Sequence, residues 1–504
     1  MTEDAGDAEA PNEANDAGRS LTQTIGLALG LSAFCFALAA PPPAELGFQA
    51  SVVLGLLALM ACWWVSEAIP IPITSLLPLV VLPSFGVASM KETAAPYFSP
   101  IVVLLMGGFI VAKAFERWRL HERLALLTVA RAGSKPAGLC AGFLIASAAL
   151  SAWISNTATT IMLAPVALSV AYSLGARRGA GEPLTVALVL SVAYGATIGG
   201  LATPVGTPTN LIVIGALEQA GDNRFSFASW MAIGAPAALL MLPAAWVVLT
   251  KLSGAIAAPA GDPQRLVRER LAQLGPWTAP ELRTLALFSL VAFFWIFRRA
   301  CIQDIEIVGV RPFANINDAV IAIAGAILMF LTPAGARGAR RGAMLLDWPT
   351  ASRIPWDVIL LFGGGLSLAA AITATGIGGW LGEIFAGAVV FPTVIVVLML
   401  AAFVIFATEL TSNVATAAAL MPVIIAMAGA ADLDAAALAA PVALAASCAF
   451  MFPMATAPNA IAYATGEMSI PRMASIGLKL NLIGVVLITA AVSVAVPLVL
   501  PAPA

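Results

Sequence analysis

Eleven apolar runs, each long enough to cross a hydrocarbon layer of ~30 Å at ~1.5 Å per helical residue, dominate this chain. They fall at about 22–40, 49–69, 72–88, 98–114, 184–217, 229–250, 282–298, 316–332, 356–375, 437–466 and 474–500. With 61% hydrophobic and only 10% charged residues, too little polar surface remains to cover a soluble core of 504 residues. Backbone N–H and C=O groups in lipid must be satisfied within the segment, so the runs read as helices. The expected class is an all-α polytopic membrane protein with eleven transmembrane helices.

Two further runs, 136–174 and 391–430, carry a polar Ser-Asn step at their centres. Basic residues decide how they enter the membrane. Clusters at Lys113–Lys135, Lys251–Arg283 and Arg337–Arg353 mark cytoplasmic loops, whereas 41–48 and 376–390 have no Lys or Arg and read as external. The loop 298–315, with Arg298, Arg299 and Arg311, is the one exception. The run 136–174 lies between Arg131 and Lys135 on one side and Arg177 and Arg178 on the other. Both ends are cytoplasmic, so it is expected to be a re-entrant hairpin with Ser155-Asn156-Thr157 at its tip. The run 391–430 has only acids nearby (Glu383, Asp432, Asp434) and reads as the matching external hairpin, with Ser412-Asn413-Val414 at its tip.

The hairpins belong to longer matching blocks. Ser155-Asn156-Thr157-Ala158-Thr159 matches Ser412-Asn413-Val414-Ala415-Thr416, and Thr203-Pro204-Val205-Gly206-Thr207-Pro208-Thr209-Asn210 resembles the stretch Pro453–Asn459. Leu105-Met106-Gly107-Gly108 echoes Leu361-Phe362-Gly363-Gly364. An odd number of crossings separates the hairpins, so the copies are inverted. Inverted repeats with broken helices at their interface are the mark of secondary transporters, with ligands bound near the midplane. The expected organisation is an acidic tail at 1–20, a first helix at 21–48, repeat 1 at 49–252, a cytoplasmic linker at 253–281 and repeat 2 at 282–500. Repeat 1 holds the hairpin 136–174 and broken helix 184–217, and repeat 2 the hairpin 391–430 and broken helix 437–466. The N-terminus is expected in the cytoplasm and the C-terminus outside an inner membrane. The tail bears six acids and Arg19 alone; a signal peptide begins basic, so it reads as disordered chain.

The hairpins and broken helices contain no Lys or Arg, and Glu409 is their acid of note. An anion there would meet hydroxyls, Asn amides and helix N-termini. Backbone carbonyls and hydroxyls suit a hard monovalent cation such as Na+, which would supply the missing positive charge. Glu409 reads either as a proton carrier or as a polar brace for the tip. Glu67, near a membrane end, reads as structural. Net charge of −2 argues against a nucleic-acid partner; five scattered cysteines and one histidine argue against zinc, haem or disulfide chemistry. No HExxH or GxSxG accompanies His121, so an enzyme is not expected.

The Trp-Trp-x-x-Glu-Ala-Ile-Pro stretch at 63–70, the paired Ser-Asn motifs and the two Pro-containing breaks resemble the divalent anion/sodium symporter family of dicarboxylate, citrate and sulfate transporters. The resemblance runs from about residue 49 to 500. It implies a homodimer whose transport domain moves as an elevator against a scaffold domain. It implies one Na+ site at Ser151, Ser155, Asn156 and Gly206 and another at Thr408, Thr411, Asn413 and Ala455. Substrate carboxylates would meet Ser155, Asn156, Thr157, Thr207, Ser412, Asn413 and Thr456. Val414 departs from the motif, which expects a third hydroxyl there. The expected activity is Na+-coupled symport of a C4-dicarboxylate such as succinate, malate or fumarate; the alternatives are sulfate or citrate symport and Na+-independent dicarboxylate exchange.

Overall fold

The computed structural model describes residues 19–42, 46–133, 135–179, 181–252, 263–306, 310–335, 342–380, 391–430 and 433–500. Most of the acidic tail and parts of the loops expected at 253–281 and 376–390 lie outside them. The described chain is helical throughout, with one isolated bridge between Pro333 and Met344 and no strand among the described residues. Among the described residues, eight helices are long and apolar enough to cross a membrane: Leu21–Ala39, Phe48–Ser66, Met90–Arg117, Pro183–Gly200, Phe227–Leu252, Ala279–Gln303, Trp356–Ala374 and Ile470–Val499. This is a multi-pass membrane protein.

The apolar run expected at 72–88 is shorter and interrupted, forming Ile71–Thr74 and Leu77–Ser84. Pro78 explains the break: its ring would meet the carbonyl of Thr74 in a continuous helix, and it has no N–H to give. Prolines also divide the two broken helices. Pro183–Gly200 stops before Pro204 and restarts as Pro208–Gln219; Ala435–Ser447 stops before Pro453 and restarts as Ala457–Ala464.

Each expected hairpin is a pair of helices joined by a short turn, Pro136–Ser151 with Asn156–Ser173 and Thr393–Thr408 with Asn413–Ala430. The second arms start 257 residues apart (413 − 156), and the prolines inside them, Pro165 and Pro422, keep the same spacing. The two copies interlock. Helix Pro208–Gln219 of the first packs on Ala435–Ser447 of the second, and Ala457–Ala464 packs on Pro183–Gly200. Across this junction Thr209 pairs with Ser447 (Oγ1 to Oγ, 2.6 Å), and Tyr194 OH donates to the Phe450 carbonyl (2.9 Å). The Gly-Gly echo has a packing cause: a Cβ on Gly107 would lie 2.7 Å from Ala322 Cβ, and one on Gly363 would overlap the Tyr97 ring. Each glycine thus lets its helix approach a segment more than 200 residues away along the chain.

A buried ion pair ties helix Leu120–Arg131 to the first turn of helix Ala279–Arg298. Arg123 Nε lies 2.7 Å from Glu281 Oε1, and its Nη atoms donate to the carbonyls of Gly275 (2.9 Å) and Leu274 (3.0 Å). Removing one partner of such a pair strands the other charge. Arg123→Ala should lower stability by about 3–5 kcal/mol, and Arg123→Lys should fall between, since an ammonium cannot reproduce the planar fork. Thermal unfolding in detergent measures both; a wild-type midpoint for Arg123→Ala would show the pair to be dispensable.

Candidate substrate and cation site

The two turns meet at one cavity of about 720 Å³, within the ~300–1,000 Å³ of small-molecule sites. Ser155, Asn156 and Thr157 line it from the first hairpin, and Ser412, Asn413 and Val414 from the second. The breaks contribute Gly206 and Pro208 on one side and Ala455, Thr456 and Ala457 on the other. Thr411 also lines the cavity, whereas Thr207 does not: it is buried, with its hydroxyl 3.3 Å from Thr209 Oγ1. Ser151 and Thr408 lie fully buried at the ends of the first arms.

Four helices begin at this cavity, at Asn156, Pro208, Asn413 and Ala457. Their free N–H groups place roughly +0.5 charge each at the wall, which suits an anion without any basic side chain. Among the described residues the lining holds no Lys or Arg; its charged members there are Glu67 and Asp357, both exposed.

Behind the N-termini lie clusters of oxygen atoms where helices end. The Asn156 amide directs Oδ1 at the Ser151 hydroxyl, the Ala196 carbonyl (3.2 Å) and the Gly206 carbonyl (3.3 Å). Turning the amide over would satisfy these acceptors with its NH2; a cation among the oxygens would satisfy them without the turn. Repeat 2 has the same grouping. The Thr408 hydroxyl lies 2.6 Å from Asn413 Oδ1 and 3.0 Å from the Ala446 carbonyl, one proton for two acceptors. Ala196 and Ala446 are 250 residues apart (446 − 196), so the two clusters are repeat equivalents. Gly206 is needed for the first: a Cβ there would sit 2.6 Å from the Gly200 carbonyl. Of the remaining expected ligands, Ser155 caps its helix by accepting from Ala158 N (3.5 Å). Thr411 is held by Ala407 O (3.0 Å) and Thr416 Oγ1 (2.6 Å).

A match to the sodium:sulfate symporter transmembrane region covers residues 21–500. The chain belongs to that family. It is a membrane transporter and not an enzyme. The family likeness extends along almost the whole chain: the sodium-dependent dicarboxylate transporter SdcS of Staphylococcus saprophyticus is 36% identical over 498 residues, 97% of this chain and 94% of that protein. Its namesake in Staphylococcus aureus strain NCTC 8325 is 35% identical over 490 residues, covering 95% and 92%. Among solved structures, Neisseria gonorrhoeae MtrF matches with a TM-score of 0.60 at 14% identity, over 95% of each chain. The Alcanivorax borkumensis YdaH transporter gives 0.57 at 13% identity, over 95% of this chain and 99% of that one. At such identities these two likenesses concern the fold alone.

Some residues of this symporter-family site carry no role in the sequence reading. Asn210 Nδ2 donates to the Gly200 (2.9 Å) and Thr203 (2.8 Å) carbonyls, and Asn459 Nδ2 to Ala449 (3.0 Å) and Phe452 (3.1 Å). Each pins an unwound break. Thr197 lines the cavity with a buried hydroxyl that has no hydrogen-bond partner among the described residues. Their equivalence (459 − 210 = 249; Ser447 standing 250 after Thr197) was the available signal.

Proposed function

We propose that this transporter couples an inward Na+ gradient to uptake of a C4-dicarboxylate such as succinate, malate or fumarate. The observation that carries the reading is the convergence of four helix N-termini on one cavity, with oxygen clusters directly behind them. Half-helix N-termini suit substrate carboxylates, and unwound carbonyls with half-helix C-termini suit Na+. The relatives named as sodium-dependent dicarboxylate transporters support both ligands. The lining also includes Val65, Val205, Val358, Leu410, Val414 and Met454. Such apolar groups suit a hydrocarbon chain between carboxylates better than compact sulfate, which needs donors on every side.

In this reading Na+ binds at Ser151, Ser155, Asn156 and Gly206, and again at Thr408, Thr411, Asn413 and Ala455. The carboxylates meet Ser155, Asn156, Thr157, Ser412, Asn413 and Thr456, with Thr207 supporting its helix N-terminus from behind. Eleven spans and two re-entrant hairpins form an inverted repeat over 49–252 and 282–500, with the N-terminus cytoplasmic. The hairpins and broken helices move as an elevator against the remaining helices, in a homodimer of the inner membrane.

Reconstitution tests the coupling. Labelled succinate should accumulate in liposomes under an inward Na+ gradient, and accumulation should collapse when K+ replaces Na+. Uptake indifferent to Na+ but driven by internal dicarboxylate would replace symport with exchange. Transport of sulfate or citrate with no succinate uptake would replace the substrate.

A further inference from the structure

The two tips differ in a way that dicarboxylate binding does not require. At the hairpin offset of 257 (412 − 155), Trp153 pairs with Leu410 and Thr157 with Val414; at 249 (456 − 207), Val205 pairs with Met454. Trp153 is engaged in packing, stacked on Phe227 with ring centroids 6.0 Å apart. Its counterpart Leu410 lines the cavity and is 72% exposed; Met454, also lining, is 75% exposed. Val414, the second residue of the second arm, also lines the cavity. Large apolar side chains this open, inside a cavity ringed by helix N-termini, leave a surface that only an apolar part of a ligand covers.

Polar groups nearby do not make up the difference. Thr411, which could replace the hydroxyl missing at 414, is committed to Ala407 O (3.0 Å) and Thr416 Oγ1 (2.6 Å) within its own hairpin. The Thr456 hydroxyl accepts from Asn459 N (3.2 Å), and the Asn413 amide oxygen from Thr408 (2.6 Å). The outer tip therefore meets a carboxylate with Ser412, the Asn413 NH2, the Thr456 O–H and helix N–H groups, none of them at position 414. The carbon next to that carboxylate would meet Val414, Leu410 and Met454, which line the same cavity. At the inner tip the same carbon would face the Thr157 hydroxyl.

We infer that Val414, Leu410 and Met454 are specificity-determining residues, and that they limit the transporter to dicarboxylates with at least one end free of hydroxyl groups. The inference rests on the dicarboxylate reading above. Malate can turn its hydroxylated end to the inner tip and leave its CH2 for the outer one. Tartrate, hydroxylated at both ends, must desolvate a hydroxyl against apolar atoms, which weakens binding by about 10- to 100-fold. Methylsuccinate, with an alkyl group in place of a hydroxyl, is accommodated.

The test is inhibition of Na+-driven labelled succinate uptake in liposomes by unlabelled methylsuccinate, malate and tartrate, for the wild type and Val414→Thr. In the wild type, methylsuccinate and malate should compete at least ~10-fold better than tartrate. Val414→Thr should narrow the tartrate-to-succinate ratio by a similar factor. The wild-type comparison stands alone if the variant does not fold. Equal inhibition of the wild type by methylsuccinate and tartrate, or an unchanged ratio in a folded Val414→Thr, overturns the inference while the dicarboxylate reading survives. Absence of any Na+-driven succinate uptake overturns both.

Discussion

Asn156→Ala and Asn413→Ala should each reduce Na+-driven uptake by more than about 100-fold while leaving a folded protein. Each asparagine stands where three features of the site meet. It opens the second arm of its hairpin, it lines the cavity, and its amide oxygen lies within a group of hydroxyl and carbonyl oxygens. Truncation removes an oxygen ligand for the cation and an NH2 for the anion together. Hydrogen bonds to charged groups contribute ~1.5–3 kcal/mol each, so two lost in one variant exceed the ~2.8 kcal/mol that corresponds to 100-fold. The fold should tolerate the change. Asn156 sits at a helix start on a cavity wall, and its neighbour Ser155 caps the helix and stays in place. Size-exclusion behaviour and helical circular dichroism would establish folding, and succinate flux under a Na+ gradient the loss. Wild-type flux from either variant would remove that tip from the mechanism.

The site was legible in the sequence because a Ser-Asn step inside an apolar run has no reason to recur. Its recurrence at one spacing, beside repeated Pro-containing breaks, pointed to a shared cavity, and the cavity does collect Ser155, Asn156, Thr157, Ser412, Asn413, Val414 and Thr456. Other features were hidden for a physical reason. Thr207 has the right residue type beside Pro208, yet whether its hydroxyl reaches the cavity depends on the direction in which the helix restarts; it turns toward Thr209. Ala196 offers only a backbone carbonyl, and only the packing of the first hairpin on Pro183–Gly200 brings that oxygen to Asn156. The short pieces Ile71–Thr74 and Leu77–Ser84 were obscured because apolar content is blind to the steric veto of a proline one turn on.

Glu409 is the one acid within the two hairpins, and its variants should lose stability and transport together. Its carboxylate is buried and accepts from Phe450 N (2.7 Å), Met451 N (2.9 Å), Phe452 N (3.1 Å) and Asn481 Nδ2 (2.6 Å). The repeat equivalent is Ala152 (409 − 257), whose backbone carbonyl accepts from the Thr203 hydroxyl. Both contacts tie a hairpin turn to the break beside it, the second with a side chain in place of a main-chain group. Glu409→Ala leaves four donors without an acceptor. At ~1–3 kcal/mol per stranded group, the loss rivals the ~5–15 kcal/mol of a whole fold, so folded yield should drop sharply. Glu409→Gln keeps one acceptor but turns an NH2 toward donors, so its unfolding midpoint and uptake should both fall. Asn481→Ala removes one donor of four and should be milder than either. A proton carrier would behave otherwise: Glu409→Gln would fold like the wild type, retain Na+-driven uptake and lose only its pH dependence. Measuring the unfolding midpoint and the pH profile of uptake on that one variant separates the brace from the carrier.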